Sequence, residues 1–135
     1  MTNIVIAGHG DLAEALLRTA ELICGPAEGV LTVSLLANEE PASFDARLTA
    51  ALSRVEGDDT DTLVLVDLLG GTPYNVAARW LLRANVECVT GVNLPMLLEI
   101  LTARESVPLP QLAALAVRHG RDAIVNLGPM LGKRG

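Results

Sequence analysis

No apolar run in this sequence approaches the ~18 residues that a membrane-spanning helix needs. Yet half of its 135 residues are hydrophobic and its mean hydropathy is +0.41. The apolar residues are therefore expected in a core or an interface. A basic leader followed by an apolar segment and a cleavage site is also missing, since Asn3 opens directly into a strand pattern; the protein is read as cytoplasmic. Aromatic residues are scarce, with only Phe44, Tyr74 and Trp80, and the net charge is -6. Without stacking platforms or a basic field, nucleic acid is excluded as a partner. The two cysteines, Cys24 and Cys88, stand far apart with no C-x-x-C spacing. They supply neither a zinc cluster nor a disulfide framework and are expected to be buried, reduced thiols. No cluster of His, Cys and acids has metal-ligand spacing, and Asp58-Asp59-Asp61 reads as a solvated turn rather than a calcium loop.

What remains is an alternation of apolar strands with amphipathic helices in a chain sized for one domain, residues 1–135. Ile4 to Ala7 forms a first strand ending in Gly8-His9-Gly10. Asp11, three residues before Glu14, then gives a capping-box-like start to a helix closed by Gly25-Pro26. Val30 to Leu36 reads as a second strand, with Asn38-Glu39-Glu40-Pro41 opening a helix whose inner face is Phe44, Leu48, Leu52 and Val55. After a polar turn at Gly57-Asp58-Asp59, Thr62 to Val66 makes a third strand that ends at Asp67. Thr72 as N-cap and Pro73 at the first helical position launch the next helix, and Val86 to Val92 supplies a fourth strand. Asn93 caps a helix over Pro95 to Arg104, Pro108 to His119 forms another, and Asp122 to Leu127 reads as a late short strand before a flexible tail over residues 128–135. Such alternation predicts a doubly wound α/β fold with a mainly parallel sheet in the order 2-1-3-4 and helices on both faces.

Ligands of such sheets bind at the carboxyl ends of the strands, where the order reverses. His9 and Asp67 end the first and third strands, so they are expected to meet there. An imidazole attacks a phosphoryl group only with one ring nitrogen unprotonated and aimed outward, which a carboxylate holding the other N–H arranges. His9 and Asp67 are therefore the candidate catalytic pair, with Asp67 on Nδ1 and Nε2 as the acceptor. Gly10, Gly71 and Thr72 are candidate phosphate-binding residues, through loop amides and the Thr72 hydroxyl at a helix start. His119-Gly120 reads as a helix terminus. The rival is a small nucleotide-binding module, because Gly8-x-Gly10-x-x-Ala13 follows a strand and Glu39 follows the next one where a ribose-binding acid would lie.

Three stretches in order, strand-Gly8-His9-Gly10-helix, Val66-Asp67-Leu68-Leu69-Gly70-Gly71-Thr72-Pro73-Tyr74-Asn75 and Gly91-Val92-Asn93-Leu94-Pro95-Met96-Leu97, resemble the IIA component of the mannose family of the bacterial phosphoenolpyruvate-dependent sugar phosphotransferase system (PTS). Thr72 stands where serine is usual, keeping the hydroxyl, and Leu69 where tryptophan is usual. The resemblance implies that His9 accepts a phosphoryl group from phospho-HPr and donates it to a IIB domain. Membrane IIC and IID components are then indirect partners, and no cofactor and no metal are implied. It also implies a homodimer in which the late strand crosses to the partner's sheet. Two further roles share the same loops: a regulatory phosphocarrier, and a phosphodonor linked to a dihydroxyacetone kinase.

Overall fold

The structure, a computed structural model, describes residues 1–56 and 60–133, with the side chains of Val55 and Glu56 left out. The expected turn at Gly57-Asp58-Asp59 and the last two residues of the expected tail lie outside the described residues. The chain runs β1 (Asn3–His9), α1 (Leu12–Cys24), β2 (Val30–Leu35), α2 (Pro41–Glu56), β3 (Thr62–Val66), α3 (Gly71–Arg79), a 3-10 turn at Trp80–Leu82, β4 (Val86–Val89), α4 (Leu94–Ala103), α5 (Leu109–Asp122) and α6 (Leu127–Met130). The sheet is parallel throughout in the order β2-β1-β3-β4. A parallel sheet covered on both faces needs strands that are apolar on both sides, and all five residues of β3 are buried.

The two-residue period of the strands divides this core in two. Ile4, Ile6, Leu63 and Leu65 face α1, α4 and α5, where they meet Ala13, Ala20, Leu97, Ile100 and Leu112. Val5, Ala7, Val64 and Val66 face α2 and α3 and pack on Phe44, Leu48, Leu52 and Ala77. Several local expectations hold: the Asn93 side chain accepts the Met96 amide at 3.0 Å and caps α4. Others do not. Asp11 precedes α1 but makes no side-chain capping bond. Cys24 is exposed rather than buried, because it ends α1 beyond the helix's inner face, and Cys88 is half-buried.

The expected strand at Asp122 to Leu127 is not formed in the single chain. Helix α5 continues through Asp122, and the Ala123 and Ile124 amides donate back to the His119 and Arg121 carbonyls at 3.2 Å each. A strand needs a neighbour for its outward amides and carbonyls; this segment has none in its own sheet, so its backbone turns on itself.

At the amino edge of the sheet, Arg104 is only 5% exposed. Its guanidinium donates to the carbonyl of Glu28 and, at 3.4 Å, to those of Thr2 and Gly29, tying the end of α4 to the starts of β1 and β2. Removing the guanidinium takes a charged donor from three carbonyls, of which that of Thr2 belongs to a buried residue. Arg104→Met is expected to cost about 1–3 kcal/mol in urea unfolding.

Candidate functional site

β1 and β3 are neighbours, with Ala7 opposite Val66, so the next residues along each strand meet at the carboxyl edge of the sheet. Asp67 Oδ2 there accepts the His9 backbone amide at 2.9 Å and lies 2.7 Å from His9 Nδ1. One carboxylate oxygen thus fixes both the main chain and the ring of the histidine. The His9 side chain is 45% exposed and that of Asp67 only 7%. Burial works to raise the Asp67 carboxyl. The hydrogen bonds from the His9 amide and ring and the charge of the imidazole outweigh it, and the group sits below its ordinary value. Its other oxygen, Oδ1, is buried and has no hydrogen-bond partner among the described residues. This close seating depends on Gly8, where a Cβ would stand 3.3 Å from the Asp67 carboxyl carbon.

With Nδ1 turned to Asp67, the far side of the ring faces the start of α3. Gly71 has φ +82, and a Cβ there would lie 3.4 Å from His9 Cε1 and 3.6 Å from Nε2. Gly71→Ala therefore combines a left-handed backbone with crowding of the ring. It is expected to destabilise the fold by about 1–2 kcal/mol, measurable by urea unfolding, and to slow whatever chemistry Nε2 performs.

The helix begins two residues earlier than its sequence suggests: Gly70, at φ 96, takes the N-cap position, and Thr72 lies inside the first turn instead of capping it. A glycine pair able to adopt positive φ lets the chain turn into the helix without a side-chain cap. Thr72 lines a cleft of about 360 Å³ with Pro41, Asp45, Asn75 and Arg79. Arg79 forms an ion pair with Asp45 in the wall of that cleft. Gly10 is placed differently from expectation: its amide donates to the Leu35 carbonyl at 2.9 Å, so it shapes the loop at φ +59 rather than offering an uncommitted donor.

Glu39, the acid on which a dinucleotide reading depends, is also committed. Its carboxylate accepts from the Leu36 amide at 2.9 Å, the Ser43 hydroxyl at 2.8 Å and Arg47 Nε at 2.9 Å. His119 lies in the last turn of α5 with Nε2 3.9 Å from Glu99, away from His9. No group of three or more His, Cys, Asp or Glu among the described residues is arranged to hold a metal ion.

Sequence reasoning missed four leucines. Leu12, Leu36, Leu68 and Leu69 are 42%, 57%, 50% and 72% exposed; Leu12 follows β1 and Leu68 and Leu69 follow β3, the strands that lead to His9 and Asp67, while Leu36 follows the neighbouring β2. The available signal was their position: each is an apolar residue beyond the point where its strand leaves the core.

Fold and site together define a doubly wound α/β domain that presents a carboxylate-held histidine at the switch point of its sheet. The family model described as PTS system fructose IIA component matches residues 3–117, and the chain belongs to this EIIA family of the sugar phosphotransferase system. It is 38% identical over 123 residues to the mannose-specific EIIAB component of Escherichia coli K12, an alignment that covers 90% of this chain and 38% of that protein. The chain thus spans well under half of that relative. It is 34% identical to the fructose-specific EIIA component of Bacillus subtilis over 113 residues, 83% of this chain and 77% of the other. Among solved structures, the IIA protein associated with the fucose utilization operon of Streptococcus pneumoniae superposes with a TM-score of 0.88 at 29% identity, covering 97% and 96% of the two chains. The mannose/sorbose-specific IIA subunit of Enterococcus faecalis superposes with a TM-score of 0.82 at 32% identity over 93% of each chain.

Proposed function

We propose that this chain is a phosphoryl relay in which His9 Nε2 takes the group from phospho-HPr and gives it to a IIB domain, feeding sugar uptake through membrane IIC and IID components. The observation that carries this reading is the 2.7 Å approach of Asp67 to Nδ1, which leaves Nε2 turned toward Gly71. The Nε2 lone pair forms the new N–P bond as the donor histidine's N–P bond breaks and its electron pair returns to the donor ring. Nδ1–H stays on the ring, and Asp67 stabilises the positive charge that develops there. The first amides of α3 and the Thr72 hydroxyl hold phosphoryl oxygens. Transfer to IIB reverses these steps. Leu12, Leu36, Leu68 and Leu69 form the apolar rim against which the donor and acceptor proteins close and exclude water. The test is incubation of the protein with phosphoenolpyruvate, enzyme I and HPr: acid-labile phosphate on the protein supports the relay, and its absence with active HPr sinks it.

The relay is proposed to act in the cytoplasm as a homodimer. No helix among the described residues is long and apolar enough to cross a membrane. Ile124, Val125, Leu127, Met130 and Leu131 are all at least half exposed, and a cavity of about 420 Å³ lined by Cys88, Val89, Val117 and Ile124 lies beside the open edge of β4. A second copy's segment of the same composition would cover these groups and supply the missing strand partner. Deletion of everything after Asp122 is expected to leave a monomer in light scattering; an unchanged mass would contradict exchange of this segment.

A further inference from the structure

β2 is the second free edge of the sheet, and its outward groups are not left open at the carboxyl end. The Ile4 and Gly10 amides of the β1 segment donate to the Gly29 and Leu35 carbonyls. In a parallel ladder this spends the amides and carbonyls of alternate β2 residues on β1, so those of Val30, Thr32 and Ser34 and the amide of Leu36 point away from the sheet. Two of these outward groups are occupied by side chains. Arg47 donates through Nη2 to the Ser34 carbonyl, and Glu39 Oε1 accepts the Leu36 amide at 2.9 Å. The two side chains are joined to each other, Arg47 Nη2 to Glu39 Oε1 at 2.5 Å and Nε to Oε2 at 2.9 Å.

A neighbouring parallel strand would meet β2 in the same way. The residue opposite Leu35 would donate its amide to the carbonyl before Leu35 and accept the amide after it. We infer that Glu39 and Arg47 together act as a side-chain substitute for one residue of a fifth strand, sealing the β2 edge against strand addition and confining association through the sheet to the β4 edge. Ser43, whose hydroxyl donates to Glu39 Oε2 at 2.8 Å, and Phe44, whose ring lies 5.8 Å from the Arg47 guanidinium carbon, hold the pair in place from α2. The Glu39 carboxyl is lowered to about 2, chiefly by the hydrogen bond from Arg47 and then by the Leu36 amide. Its folded value lies below the ordinary 4.5, so the seal is intact at neutral pH and is lost only as acid brings the pH down toward the lower value.

The pair resists only if its polarity is right, which separates this role from simple charge attraction. Arg47→Met and Glu39→Met each break the seal. The exchanged pair, Glu39→Arg with Arg47→Glu, keeps opposite charges but sets a donor against the Leu36 amide and an acceptor against the Ser34 carbonyl. Light scattering over a concentration series is expected to give one mass for the wild type, and masses that climb above it with concentration for both methionine variants and for the exchanged pair. Hydrogen exchange of the Leu36 amide should accelerate about tenfold in Glu39→Met, the loss of one charge-assisted bond, while Glu39→Gln, which retains an acceptor oxygen, keeps its protection. Wild-type mass in all variants, or full restoration by the exchanged pair, would overturn the inference. The wild-type mass alone reports on pairing at β4, so the failure of the homodimer reading and the failure of the β2 seal are read from different samples.

Discussion

His9→Ala is expected to abolish acid-labile phosphate on the protein in the presence of phosphoenolpyruvate, enzyme I and HPr, while the variant still folds, at a urea midpoint lowered only by the ring bond that Asp67 loses. The two halves of this result follow from where the ring sits. Its side chain is nearly half exposed and contributes little to either apolar cluster, so truncation leaves the core intact. The fold would then be preserved and the nucleophile lost. His119 offers no substitute, since it lies near Glu99 in the last turn of α5. In the wild type, nuclear magnetic resonance of the phosphorylated ring should assign the N–P bond to Nε2. Phosphate on Nδ1 would mean that Asp67 must swing away before reaction, and undiminished labelling of His9→Ala would place the acceptor elsewhere.

The second large effect is expected at Asp67. Asp67→Asn keeps the size of the side chain, and its carbonyl oxygen can still accept the His9 amide. That same oxygen position faces Nδ1, so the Nδ1–H bond is retained; what is gone is the charge that stabilises the imidazolium as Nε2 bonds to phosphorus. Phosphoryl transfer from phospho-HPr should fall roughly 10²- to 10⁴-fold, the range spanned by positioned proton-handling groups. Two-dimensional spectra of the imidazole nitrogens are expected to show Nδ1 still protonated, which assigns the loss to charge and not to tautomer. The stability of the two proteins should also diverge with pH. Because the Asp67 carboxyl sits below its ordinary 3.8 in the folded protein, its contribution is present above that value and is lost as the pH falls through the lower one. The asparagine variant lacks this acid-dependent loss. A transfer rate close to wild type would make Asp67 a packing residue only.

The parts of this molecule that were legible in its sequence are those where short-range chemistry and long-range packing agree. β-Branched runs such as Ile4-Val5-Ile6 and Leu63-Val64-Leu65 admit one outcome in a covered parallel sheet, and the order 2-1-3-4 then brings His9 to Asp67 across 58 positions of sequence. Misreadings arose where a local signal had a competitor. Thr72-Pro73 has the form of a cap and first turn, but Gly70 and Gly71 enter the helix first. Gly10 has the form of a phosphate loop, but its amide is claimed by Leu35, which only the pairing of β1 with β2 reveals. Ile124-Val125 is a different case: its strand is expected beside a second copy, and within one chain no strand stands alongside to pair with it. The Glu39–Arg47 pair was beyond reach for a related reason: its meaning lies in which β2 groups face outward, a property of register and not of spacing.

The single outward ring nitrogen also sets how this protein can be used in time. Donor and acceptor would have to occupy the same rimmed face in turn, since one atom must first receive and then release. Steady-state kinetics with HPr and a IIB domain varied together should therefore follow a double-displacement pattern, and an excess of either unphosphorylated partner should act as a competitive brake on the other. The traffic through the relay would then depend less on the chemistry at His9 than on how quickly each visitor leaves.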